Sequence, residues 1–220
     1  MKYIFFTFLT AMACSACQSS KPEPKRTLEC YVRFLETDGA IHAEATLREG
    51  DTLQQPVEVP GGFSYQGKTM KLRNLPAIAY VDDHGGGFDL KHRFDWKDEK
   101  DQAHTFEMEM SPVTEFGFGV PAISRSKPQT FRWKGAPLDK GEALVFMWEN
   151  SALGQTVPMN VINSTQSQVD FPAAKLAELA PGQWTLYLVR KKLTKADAGG
   201  VAASGIIEYY TRTDSIEVGE

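Results

Sequence analysis

An all-β fold is predicted by three features of this 220-residue sequence. From Leu28 onward apolar residues recur with period two, the spacing that puts alternate side chains on one face of a strand. The alternating runs are short and are separated by clusters of Gly, Pro, Asp and Asn, residues that turn a chain. Only Pro172 to Ala180 reads as helical, with Leu176 and Leu179 three apart and Pro172 suited to a first turn.

The chain begins with one cation, Lys2, an apolar run from Tyr3 to Met12, and the small residues Ala13, Ser15 and Ala16 around two cysteines. This is a signal-peptide pattern over residues 1–16, and its run of about ten residues is well short of the roughly twenty that cross a bilayer as a helix. Cys14-Ser15-Ala16-Cys17 resembles the lipobox of bacterial lipoproteins, in which small residues precede a cysteine that is acylated before the leader is removed. The resemblance implies lipid on Cys17, with Cys14 as the alternative because Ala11-Met12-Ala13 also precedes a cysteine. It implies a membrane partner through the N-terminal lipid in a bacterial envelope, and Ser19, two positions after Cys17, allows sorting to the outer membrane. Residues 17–27 are polar and contain Pro22 and Pro24, as an extended tether would. With Cys14 and Cys17 so used, only Cys30 remains, and its parity with Leu28, Val32 and Phe34 makes it a small core residue.

Residues 28–115 are read as a first β-sandwich. Its clearest unit is a hairpin of Leu28 to Glu36 and Ala40 to Glu49 turning at Asp38-Gly39, with Ile41, Ala43, Ala45 and Leu47 inward. Further strands are expected at Gly62–Tyr65, Thr69–Leu72, Ala77–Val81, Leu90–Trp96 and His104–Met110, with a polar hairpin at Lys97–Gln102. Residues 116–128, with Gly117, Gly119, Pro121 and Pro128, lack periodicity and are read as a linker.

Residues 129–220 are read as a second sandwich, with strands at Gln129–Lys134, Ala143–Glu149, Thr156–Ile162, Ser167–Phe171, Gln183–Leu193 and Gly205–Val218. Ala143 to Trp148 is apolar on both faces, as a central or covered strand is. Pro181-Gly182-Gln183-Trp184-Thr185-Leu186-Tyr187-Leu188-Val189 resembles the turn-into-strand segment late in immunoglobulin-like and fibronectin-type domains. The resemblance implies two such sandwiches in tandem. Trp184 stands where those domains carry a tyrosine, so the hydroxyl bond of a tyrosine corner is not expected.

The formal charge of −4 excludes a nucleic-acid partner, since neutralising phosphates takes a basic face. The one dense basic cluster, Arg190, Lys191, Lys192 and Lys195, is read as a solvated strand end. His84-Gly85-Gly86-Gly87 matches a strand-loop pattern of some esterase oxyanion holes, but the companion serine elbow is missing: Gly62-Phe63-Ser64-Tyr65-Gln66-Gly67 is one residue too long. Asp82, Asp83, His84, Asp89, His92 and Asp95 supply metal-ligand types around the same loop, with His84, His92 and Asp82 the candidates, at no known ligand spacing. Asp beside Gly is also the ordinary make-up of a β-turn, so no metal or cofactor is expected. His104, Phe106, Met108 and Met110 share a face that suits copper(I) or, more simply, a core. Phe94, Trp96, Phe131, Trp133, Trp148, Trp184, Tyr209 and Tyr210 would bind a glycan if several were exposed together.

The resulting expectation is a lipid-anchored, non-enzymatic envelope protein that binds a protein partner. The alternatives are a surface glycan-binding lipoprotein and a metal-dependent hydrolase using His84 and His92 with nearby aspartates.

Overall fold

The computed structural model describes residues 25–162 and 164–220. The leader, Cys14, Cys17 and most of the tether therefore lie outside the described residues. The first half contains β1 (Arg26–Leu35), β2 (Ala40–Glu49), β3 (Gln55–Val57), β4 (Phe63–Tyr65), β5 (Lys68–Thr69), β6 (Lys71–Arg73), β7 (Ala79–Gly85), β8 (Lys91–Lys97) and β9 (Ala103–Glu109). The second contains β10 (Glu115–Gly117), β11 (Ala122–Ser124), β12 (Gln129–Lys134), β13 (Glu142–Asn150), β14 (Gln155–Ile162), β15 (Gln168–Phe171), the one-turn α1 (Ala173–Leu176), β16 (Gly182–Asp197), β17 (Ala202–Tyr210) and β18 (Asp214–Gly219). The all-β expectation holds.

Among the described residues one 11-stranded sheet underlies both halves, and two small sheets lie on one of its faces. The four-stranded sheet β5-β4-β8-β9 packs Phe63, Tyr65, Phe94, Trp96, Phe106 and Met108 against Leu28, Val32, Ile41, Ala43, Ile207 and Tyr209 of the large sheet. The three-stranded sheet β10-β12-β15 packs Phe131, Trp133 and Phe171 against Phe146, Trp148, Trp184, Leu188 and Val218. Strict alternation in β1, β8, β9 and β13 produces these faces, because period two delivers every second side chain to the same layer.

The spine of the sheet is a long hairpin. β16 runs the length of both cores, pairing through Gly182–Leu186 with β18 and through Val189–Asp197 with β17, while its other edge pairs with β13. Between β17 and β18 the returning chain is interrupted: Leu188 N donates to the Thr211 hydroxyl at 2.9 Å, and Thr211 N returns a bond to the Leu188 carbonyl. The expected strand from Gly205 to Val218 is thus two, offset around one threonine. β17 then lies parallel to β1, with Val32 opposite Ile207.

This arrangement redraws the expected boundary. Ala198, Val201, Ala203, Ile207 and Tyr209 belong to the first core although they follow the second in sequence. Residues 116–128 are no free linker either: they carry the end of β10 and all of β11, and Phe118 and Ile123 are buried in the second core. Three-residue strands are too short to show periodicity, which is why this stretch reads as irregular. The tether ends early, since Arg26 and Thr27 already pair with Glu49 and Arg48. Gly205 marks a close approach of the layers in the first core. A Cβ there would collide with the Met108 sulfur and stand 2.8 Å from the Phe106 ring, so the missing side chain is what admits both.

Candidate functional site

The register of β7 decides where the acid and imidazole residues around the Gly-rich loop go. Asp82 and His84 face the core side, opposite Ala43 and Ile41, whereas Asp83 faces outward opposite His42. His84 Nδ1 donates to Asp82 Oδ2 at 2.6 Å. Outside, His42 Nδ1 lies 2.7 Å from Asp83 Oδ1. Asp89 bonds Gln66 at 3.2 Å and lies near enough to His92 to favour its charged form, whereas Asp95 is held elsewhere by Arg93 and Thr105 at 2.8 and 2.6 Å.

His92 comes from the opposing sheet and is fully buried. The Tyr65 ring stacks on it, centroids 6.0 Å apart, and touches His84 on its other flank at 6.1 Å. The Tyr65 hydroxyl lies 2.6 Å from His92 Nδ1. Burial pushes the His92 pKa down to about 4 and raises that of Tyr65, so the phenol keeps its proton and donates it to a neutral imidazole. The His92 proton then sits on Nε2, which has no hydrogen-bond partner among the described residues. Among the described residues no group of three or more His, Cys, Asp or Glu is placed to hold a metal.

His84 and Gly85 are the last residues of β7, and Gly86 N donates to the Gly39 carbonyl at 2.8 Å. The amide of the motif's second glycine is thus committed to continuing the β2–β7 pairing into the β1–β2 turn. The His104, Phe106, Met108 and Met110 stripe is core, each residue 7% exposed or less. Of the eight aromatics considered for a sugar platform, all but Tyr210 are buried. Cys30 is 5% exposed, and burial raises its thiol pKa well above the usual value, so it packs as a small hydrophobe.

At the far end of the first sandwich a hollow of about 600 Å³ opens between β1, the β8–β9 hairpin and the β16–β17 turn. Its wall includes Trp96 and His104, stacked 5.2 Å apart, and Arg26, which is paired with Glu49 at 3.1 Å and Glu99 at 3.3 Å.

The solvated reading of the basic cluster fails at Arg190. Its side chain is on the core side of β16, 1% exposed, opposite Tyr209 of one core and Leu144 of the other. It bonds the Ala136 and Pro137 carbonyls at 3.0 and 2.8 Å and the buried Glu142 carboxylate at 2.5 Å. Strand parity alone separates it from Lys191, which faces outward and pairs with Glu208.

The opposite face of the large sheet carries a different surface. Across β13, β16, β17 and β1 the outward register places Met147 beside Tyr187, and Val145, Val189, Tyr210 and Leu35 in the next row. Met147, Tyr187, Val145, Tyr210 and Leu35 are only partly buried, since both small sheets occupy the other face. The following row is charged, Lys191, Glu208 and Arg33, with Glu208 accepting from Tyr31 at 2.7 Å and Tyr210 at 3.2 Å and pairing with Lys191 at 2.7 Å. Burial opposes the charged form of Glu208, but the bonds from Lys191, Tyr31 and Tyr210 outweigh it and hold the carboxyl below its ordinary range. The signal for this surface was the doubly apolar run Ala143 to Trp148, which is central in the sheet but, among the described residues, covered on one face only.

No protein-family model matches the chain, and no curated protein matches it in sequence. Solved structures similar to it include a tetra-tandem repeat in the extending region of a large adhesion protein (TM-score 0.30, 10% identity, 88% of this chain and 50% of that one). A 1.5-MDa bacterial ice-binding adhesin overlays at TM-score 0.25 and 8% identity, over 90% of this chain and 66% of that one. The FN1–FN3 domains of chicken CNTN1 overlay at TM-score 0.26 and 9% identity, over 90% and 67%. This chain therefore spans half the length of the first of these and about two thirds of the other two.

Proposed function

We propose that this is a lipid-anchored, non-enzymatic protein of the bacterial envelope, held at the outer membrane through Cys17, that docks a protein partner on the uncovered face of its large sheet. The observation that carries the reading is the partly exposed apolar band of Leu35, Val145, Met147, Tyr187 and Tyr210, flanked by a charged row. Apolar core with polar rim is the anatomy of a protein interface. A non-enzymatic role fits the engagement of all four histidines: His42 with Asp83, His84 with Asp82, His92 with Tyr65, and His104 with Asp98 and Ala198. A glycan platform is disfavoured because seven of the eight aromatic rings considered for it are in the cores.

The test is a photo-crosslinking amino acid at Met147 or Tyr210 in the full-length protein, in its native envelope, with the same probe at Thr105 on the outer face of the small sheet as control. One protein captured from the first two positions and not from Thr105, and lost in a Cys17→Ala, Cys14→Ala variant, supports the reading. Equal capture at all three positions, or none from membranes containing the protein, refutes the docking face; full recovery in the soluble fraction refutes the anchor.

A further inference from the structure

His104 sits in β9 at the inner wall of the hollow, with a side chain 5% exposed. Its Nδ1 is 3.2 Å from the Ala198 carbonyl oxygen, in the β16–β17 turn, and its Nε2 is 3.1 Å from Asp98 Oδ2, in the β8–β9 hairpin. A backbone carbonyl accepts only. So does the Asp98 carboxylate: bonds from the Gln102 amide, the His104 ring and the Lys100 amide hold its pKa below the ordinary value. Both contacts are hydrogen bonds only when the imidazole carries a proton on each nitrogen. A neutral ring makes one bond and turns a lone pair toward an oxygen at the other.

We infer that His104 is a proton-operated clamp: its imidazolium form ties the Asp98 hairpin to the turn at Ala198 and closes the inner end of the hollow, and the neutral ring, keeping its Nε2 proton for the charged Asp98 acceptor, loses the Nδ1 bond and releases that turn. Two further contacts frame the ring. Trp96 lies flat against it, interplanar angle 15°, offering the negative face of its π-system. Gly199, at φ +68°, has no Cβ, and one would stand 2.7 Å from Nδ1, so the turn's approach to the ring depends on that glycine. The remaining charges facing this region are largely balanced among themselves. Arg26 of β1 pairs with Glu49 of β2 and with Glu99, and Lys97 of β8 pairs with Asp101. Lys25, Glu58 and Lys100 complete the charged lining, and Asp197 of β16 accepts from the Gly200 amide.

Asp98 makes the idea separable from simple packing. Its Oδ1 accepts the Lys100 and Gln102 amides at 2.8 and 2.9 Å, leaving Oδ2 for the ring. In Asp98→Asn the carbonyl oxygen keeps the turn bonds and the amide nitrogen faces His104 Nε2 as a donor. A neutral His104 then satisfies both partners, and the clamp no longer needs the second proton.

The test is nitrogen NMR of the full-length protein in detergent micelles, with the His104 ring signals assigned against His104→Gln, together with amide-exchange protection of residues 198–201 from about pH 5 to about pH 8. The expected result is a doubly protonated ring at the low end. As that ring titrates, protection of the turn falls by about tenfold to a hundredfold, the worth of a charge-assisted bond. Asp98→Asn should hold the protection constant over the same range. A ring with a single proton at about pH 5, protection that does not follow the ring's titration, or an Asp98→Asn protein that keeps the wild-type pH dependence would each overturn the clamp.

Discussion

Arg190 and Glu142 meet at 2.5 Å with both side chains withdrawn from solvent, at the point of the long sheet where the two cores adjoin. Lys192 approaches the same carboxylate at 3.3 Å, and the Asp139 amide bonds it at 3.0 Å. The pair anchors the 136–139 loop to β16, since the guanidinium also holds the Ala136 and Pro137 carbonyls.

Removing one member leaves a buried charge uncompensated. Glu142→Ala is expected to cost about 3–5 kcal/mol, whereas replacing both residues by apolar ones of similar size should cost much less. Urea unfolding of the two singles and the double variant measures this. Additive losses would show that the pair is not coupled.

Trp184 is 1% exposed, and its indole Nε1 donates to the Ala180 carbonyl, four residues upstream, at 2.8 Å. The bond expected to be missing without a tyrosine at this corner is thus made by a ring nitrogen. Trp184→Phe removes that donor and part of the ring, and is expected to lower stability by roughly 1–3 kcal/mol. A change below a few tenths in thermal or urea unfolding would mean the bond contributes nothing.

Among the described residues β14 is an open edge, paired only with β13, and Pro158 sits in its middle opposite Met147. A ladder that continues past proline puts its nitrogen on the open side, where the missing N–H interrupts the row of donors another chain would use. Pro158→Val restores the donor. It should leave stability within about 0.5 kcal/mol and make the protein associate at lower concentration by light scattering. An unchanged association profile would remove this role.

His92 should make stability fall in acid. Its folded pKa is about 4 against an ordinary 6.5, so between these values the unfolded chain binds a proton that the folded one refuses. Stability is then full above about pH 6.5 and declines as pH falls toward about pH 4, by up to about 3 kcal/mol. His92→Phe should flatten that part of the profile relative to wild type. An equally steep loss in the variant would assign the acid sensitivity to other groups.

Period two was enough to place the β1–β2 hairpin, the His104–Met110 core stripe and Cys30 in the core, and the three-residue spacing of Leu176 and Leu179 placed the short helix, because each depends on neighbours close by. Asp82 and Asp83, or Arg190 and Lys191, could not be sorted by composition; consecutive residues leave a strand on opposite faces, and only the pairing register says which face is covered.

Local pattern therefore determined that this chain is all-β and which residues within each regular strand share a face, since alternation is a property of the backbone itself. Tertiary structure decided the rest: that the β16–β17 hairpin crosses from one core to the other, that β17 lies parallel to β1, and that both small sheets pack on the same face of the large one. Those outcomes depend on long-range pairing between strands more than 170 residues apart, such as Val32 with Ile207, about which alternation within either strand carries no information.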